Sequence, residues 1–130
     1  MENAQRAVLF VDVTDSTRLY ETFGNTVALA LINGVFGRLE KIVAKYAGLV
    51  VKTLGDGIIC VFEDPDNAFR AAVDIQTSVR SAGQETANRL QLKIGLTWGP
   101  VILSKGDVYG DTMNVCARLV TLANPEQILT

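Results

Sequence analysis

Histidine is absent from this 130-residue chain. Its absence removes the commonest general base, the Ser/His/Asp and Cys/His triads and most zinc chemistry. Cysteine occurs only twice. Cys60 and Cys116 lie in apolar stretches without metal-ligand spacing and read as two buried, reduced thiols of a cytoplasmic protein. There is no run of about 18 apolar residues, and no basic N-terminal segment leads into an apolar one, so neither a membrane span nor a signal peptide is expected. A net charge of −2 leaves no basic excess for a nucleic-acid partner. A P-loop signature is missing, as is the DxDxT pattern of phosphatase nucleophiles. Chemistry on this chain must rest on carboxylates, Lys, Arg and bound ions.

What is present is an ordinary globular composition, 48% hydrophobic and 20% charged. Without linker, repeat or low-complexity tract, residues 1–130 are expected to form one domain. Residues 7–13 (AVLFVDV) read as a buried strand, and Asp15, Ser16 and Thr17 as N-cap candidates for a short helix ending near Gly24. A longer helix is expected over 25–47, with Val27, Leu31, Val35, Leu39 and Val43 as its apolar stripe and Gly48 as its C′ residue. A hairpin follows, with strands 49–54 and 58–62. Asp64-Pro65-Asp66 then turns into a third helix expected to face Phe69, Ala72, Val73 and residues 75–79 inward. Residues 90–98 read as a strand broken by Gly99-Pro100, and 101–104 as a short strand before the Lys105-Gly106 turn. A helix over 111–122 and a strand from Gln127 to Thr130 complete the order. The first six elements suit an α/β sandwich with a ferredoxin-like βαββαβ core and helices on one sheet face.

Two stretches carry candidate chemistry. In VVKTLGDGIICVF (50–62) an aspartate stands between two glycines at a hairpin tip, and a lysine interrupts the apolar strand before it. A lone turn aspartate is ordinarily solvated. Asp12 is harder to dismiss, because its strand is otherwise apolar and a buried carboxylate needs a partner or a metal. The βαββαβ arrangement brings Asp12 close to Asp56, a site for hard cations beside a helix N-terminus. In GDVYGDTMNVCAR (106–118), Asn114 and Arg118 share a helical face. Such a pair is ordinarily surface decoration; with Asp107 it can also read a nucleotide through amide, guanidinium and carboxylate.

Four blocks, FVDVTDST (10–17), VKTLGDG (51–57), IGLTWGPV (94–101) and GDVYGDTMNVCARL (106–119), in this order and spacing, resemble the catalytic domain of class III nucleotidyl cyclases over nearly the whole chain. The resemblance implies that Asp12, Val13 and Asp56 hold two Mg²⁺ or Mn²⁺ ions per site, and that Lys52 and Asp107 recognise adenine. It further implies that Asn114 orients the ribose, that Arg118 stabilises the transition state, and that the site is shared between the chains of a homodimer. The helix start at Thr14, Asp15, Ser16 and Thr17 offers amides to the β- and γ-phosphates. Lys52 as donor and Asp107 as acceptor complement adenine, so ATP is expected over GTP.

The expected function is thus an adenylate cyclase. A catalytically silent cyclase-like regulatory or dimerisation module and a guanylate cyclase remain the alternatives, and an attached sensor or regulatory domain is compatible with each. A diguanylate-cyclase or polymerase-palm relative is disfavoured, since no GGDEF-like hairpin occurs. The sequence departs from the family where Pro100 follows Gly99, in place of an arginine found in some members, and in its short segment between Val101 and Asp107. It ends at Thr130 within an expected strand, so the C-terminal strands are expected to be truncated and the domain an incomplete fragment.

Overall fold

The computed structural model describes residues 1–83 and 90–130. Among these, β1 (Glu2–Val13), α1 (Ser16–Lys45), β2 (Leu49–Leu54), β3 (Gly57–Phe62), α2 (Pro65–Gly83), β4 (Leu92–Ser104), β5 (Asp107–Tyr109), α3 (Asp111–Leu122) and β6 (Ile128–Leu129) follow one another. One mixed sheet runs β2-β3-β1-β4-β5, with β6 parallel to β4. The βαββαβ core is therefore present, with β1 at its centre.

Alternation along β1 divides the interior in two. Ala7, Leu9, Val11 and Val13 join Ile58, Cys60, Phe62, Leu92, Ile94 and Leu96 beneath α1 and α2. Val8 and Phe10 join Ile59, Val61, Val101, Val108 and Cys116 on the face covered by α3. Cys60 and Cys116 are buried, free thiols, and burial pushes them up to about 12 and about 11. Such groups stay protonated and inert at neutral pH.

Several local expectations needed correction. Val27 is exposed, and the buried residues of α1 are Leu19, Ala28, Ile32, Val35, Leu39 and Val43. A strict four-residue step drifts by about 40° each time around a helix of 3.6 residues per turn, so the buried line must mix steps of three and four. On α2, Phe69 and Val73 are exposed, since each lies one position, about 100°, around the helix from the core line of Ala68, Ala71, Ala72, Ile75 and Val79. The chain does break its helical path at Gly24 (φ 80°, ψ 166°). At the other end of α1 the left-handed residue is Ala47, not Gly48. The Gly48 N–H donates to the Val43 carbonyl at 2.8 Å and the Ala47 N–H to that of Ala44 at 3.1 Å, the paired bonds of a Schellman ending. Gly48 lacks a side chain for a tertiary reason: a Cβ there would overlap the Phe62 ring.

Strand β4 passes through Gly99-Pro100 without a break. The Pro100 carbonyl accepts the Thr112 hydroxyl at 2.7 Å. It therefore points away from β1, and the missing N–H falls on an edge between the β6 and β5 pairings. Strand β5, only three residues long, is too short to register as a periodic pattern. No helix among the described residues is long and apolar enough to cross a membrane.

Candidate active site

At one end of the sheet, Asp12 pairs in register with Gly57, and the Val13 N–H donates to the Asp56 carbonyl at 3.0 Å. The turn needs its glycines for two reasons. Gly55 takes a left-handed φ of 57°. A Cβ on Gly57 would stand 2.9 Å from the Val11 carbonyl oxygen and 3.2 Å from Asp12 Oδ1. The hairpin tip is thus pressed against β1, and the Asp12 and Asp56 carboxylates feel each other. Burial and then the Asp56 charge push Asp12 above the usual aspartate range, while Lys93 and the Val13 N–H pull it down. The Val13 side chain is buried in the core and carries no donor atom, so only its backbone carbonyl could serve a metal.

The groups this corner offers a cation are carboxylate and backbone oxygens, with the Lys93 ammonium opposite Asp12, and no three His, Cys, Asp or Glu side chains cluster as a metal cage among the described residues. That donor set fits Mg²⁺ or Mn²⁺, which take one or two carboxylates and complete their shell with phosphate oxygens and water. Beside it, α1 starts at Ser16 from an N-cap Asp15 in the left-handed conformation (φ 56°), with no side-chain cap and no acidic residue in its first turn. The Ser16 and Thr17 amides therefore have no acceptor from the cap, as at an anion-binding helix start. Thr14 differs from its neighbours. Its N–H and hydroxyl both donate to the Gln91 carbonyl at 2.9 Å, tying this loop to β4.

Lys52 and Asp107 meet at 3.0 Å (Nζ to Oδ2), although β2 and β5 are the first and last strands of the main sheet order. Two features make this possible. The sheet curls until β2 and β5 approach each other. A register shift between Val50 and Lys52 marks a bulge at Val51. Val50 packs in the α1–α2 core, yet Lys52 pairs with Ile59, whose side chain lies on the α3 face. Without the extra residue, Val50 and Lys52 would share a face; with it, the ammonium turns to the side that carries Asp12. The lysine and the Val108 N–H, which donates to Asp107 Oδ1 at 2.7 Å, hold the Asp107 carboxyl below its usual range.

Asn114 and Arg118 occupy the exposed face of α3, and their side chains make no hydrogen bond or ion pair among the described residues. The structure thus brings together Asp12 with Asp56 and Lys52 with Asp107, whereas Asn114 and Arg118 bond to neither pair among the described residues. Sequence reasoning missed Lys93, which lies directly opposite Asp12 across β1 and β4. Its signal was present in the alternation of LQLKIGLTW, where Lys93 falls on the face opposite Leu92, Ile94 and Leu96.

The sequence model of the adenylate and guanylate cyclase catalytic domain matches residues 2–130. The chain belongs to that family. The cyclase domain is 30% identical over 125 residues to an adenylate cyclase of Glutamicibacter nicotianae, covering 96% of this chain and 30% of that protein. A crystal structure of an adenylate/guanylate cyclase/hydrolase from Silicibacter pomeroyi superposes with a TM-score of 0.86 at 32% identity, over 98% of this chain and 75% of that one. A bacterial light-regulated adenylyl cyclase gives 0.83 at 27% identity, over 94% and 41%. The cyclase domain spans about a third of the length of the curated relatives it matches.

Proposed function

We propose that this domain is an adenylate cyclase. It converts ATP to 3′,5′-cyclic AMP and pyrophosphate at sites shared between two copies of the chain, with two Mg²⁺ or Mn²⁺ ions per site at Asp12, Val13 and Asp56. The observation that carries the reading is the Lys52–Asp107 pair at 3.0 Å, a donor beside an acceptor. Adenine presents a ring-nitrogen acceptor beside an amino donor, the complement of that pair. Guanine reverses both signs and would leave two mispaired polar groups.

When bound, the ions would supply charge neutralisation for the triphosphate and acidify the ribose 3′-hydroxyl, which suits a chain without histidine. The Ser16 and Thr17 amides bind the β- and γ-phosphates at the start of α1. Thr14 and Asp15 shape that turn, since the Thr14 donors are already engaged by Gln91. Asn114 orients the ribose, and Arg118 faces the charge that develops on the phosphoryl oxygens, an effect worth about 3 kcal/mol for a well-placed donor. Both residues are exposed and unengaged, which supports their delivery to the site of a second copy. Lys52 lies within β2 and Asp56 in the turn that follows it, and they serve opposite ends of the nucleotide. The substrate is an intracellular nucleotide, which puts the reaction in the cytoplasm. The relatives' greater length accords with an attached sensor or regulatory domain.

The test is cyclic nucleotide formation from ATP and from GTP with Mg²⁺ or Mn²⁺. Preferential cyclic AMP supports the reading. Cyclic GMP from GTP alone replaces it with a guanylate cyclase, and tight nucleotide binding without turnover replaces it with a silent regulatory module.

A further inference from the structure

Helix α3 carries Asn114 and Arg118, and β4 gives it a narrow seat. Leu92, Ile94 and Leu96 pack in the α1–α2 core, so the alternate residues Gly95, Thr97 and Gly99 face α3, and none is bulky. A Cβ at Gly95 would come within 2.8 Å of the Cys116 carbonyl oxygen, and one at Gly99 within 2.6 Å of the Thr112 hydroxyl oxygen. Into this trough α3 sets two polar groups. Thr112 is the only polar or charged side chain buried among the described residues. Its hydroxyl donates to the Pro100 carbonyl at 2.7 Å, and its own carbonyl accepts the Thr97 hydroxyl at 3.1 Å. One turn on, the buried Cys116 thiol bonds to the Gly95 carbonyl at 3.2 Å and the Val8 carbonyl at 3.3 Å. The N-cap residue Gly110 adds no side-chain bond. Apolar packing is non-directional and tolerates a small turn of a helix about its axis, whereas hydrogen bonds weaken steeply off line. Asn114 and Arg118 each lie two positions beyond a pinned residue, about 200° around the helix. The bonds that hold one face of α3 down therefore fix the direction in which the opposite face points.

We propose that Thr112 is a positioning residue of the cyclase reaction. Its two bonds set the angle at which α3 presents Asn114 to the ribose and Arg118 to the phosphoryl oxygens in the site of the second copy. A long side chain turns a small rotation of its helix into a displacement at its tip, and a misplacement of about 1 Å can cost about a hundredfold in rate. The inference rests on the reading of shared sites, and it contains no covalent step.

The experiment is cyclic nucleotide formation by mixed dimers of the full chain with Mn²⁺, from whichever nucleotide wild type turns over. One chain carries Asp12→Asn and the other Arg118→Ala, so their one whole site takes Arg118 from the first and Asp12 from the second. Thr112→Val keeps the side chain's shape and removes its hydroxyl. Added to the Asp12→Asn chain, whose α3 serves the whole site, it should lower kcat about tenfold or more. Added to the Arg118→Ala chain, whose α3 serves the inactive site, it should leave turnover at the level of the unaltered mixture. Thr112→Ser, which restores the hydroxyl, should recover most of the activity in the first arrangement. Thr97→Val removes one bond and leaves Thr112 in place; it should show the same one-sided loss more weakly, and it carries the test if Thr112→Val does not fold. Equal losses in both arrangements, or none in either, overturn the positioning role and leave shared sites standing. An Asp12→Asn and Arg118→Ala mixture that is inactive without any change at Thr112, after confirmed exchange of chains, overturns the shared-site reading and this inference together.

Discussion

On the face beneath α1 and α2, β1 contributes Ala7, Leu9, Val11 and Val13, all buried. On the face beneath α3, the alternate residues Val8 and Phe10 are apolar, but the next in line is Asp12, opposed by Lys93 and next to Gly57. The same strands thus supply a deep apolar core on one side and a shallower cluster with charged ends on the other. A carboxylate can persist on the α3 face because that face opens at the strand ends, where ions, water or phosphate can reach it. The proposed chemistry falls on the charges there; apolar residues on the opposite face carry stability. Substitutions on the two faces should therefore fail in different ways.

The largest effect should come from the charged corner. Asp12→Asn or Asp56→Asn should lower cyclisation on the order of a thousandfold while the unfolding midpoint stays near wild type. Near-normal turnover with Mg²⁺ would break the comparison at its centre. Next comes complementation. If each site joins metal ligands from one chain with Arg118 from the other, Asp12→Asn and Arg118→Ala are each inactive alone. Random exchange makes about half the dimers mixed, each with one whole site, so an equal mixture should recover roughly a quarter of wild-type activity per chain. A mixture that stays inactive after confirmed subunit exchange rules out shared sites.

Across the sheet, Leu39→Ala, fully buried against the α1–α2 core, should cost roughly 3 kcal/mol in denaturant unfolding. It should leave the ratio of ATP to GTP use unchanged, and a changed ratio would mean that the two faces are not separable. Lys52→Glu with Asp107→Cys should move that ratio towards GTP by about tenfold or more, with lower total activity. An unmoved ratio would show that these side chains do not touch the base.

The smallest effect concerns acid. The folded-state Asp107 carboxyl is held below its ordinary value. Its ion pair therefore contributes stability above the usual aspartate value of about 3.9 and loses it as pH falls through and below that value. Wild type should lose slightly more stability than Asp107→Asn between about pH 5 and pH 2 in urea titrations. Equal losses would make the edge-to-edge contact energetically silent.

Much of the candidate site was legible before folding was considered. Asp12 stood out as a charge in an apolar strand and Asp56 as a carboxylate between two glycines, and both signals are local. The hairpin, α3 and the break at Gly24 were readable for the same reason. The line of burial on α1 was not. Val27 and Ala28 are both compatible with a helix, and only packing against the sheet and α2 selects Ala28. Pro100 suggested a strand end because proline lacks a donor, yet whether a donor is needed depends on which edge of β4 has a partner.

The sequence by itself determined which residues could do chemistry and which segments become strands or helices, since short-range sterics and hydrophobic periodicity act within a few residues. Tertiary structure decided which of those residues meet. Lys52 and Asp107 are 55 positions apart, and their contact depends on a bulge at Val51 that turns one side chain over and on a curl that brings the outer strands together. Lys93 faces Asp12 only because β1 and β4 adopt one register out of several. Register, bulge and curl are settled by the packing of both faces at once, a balance that no local stretch contains.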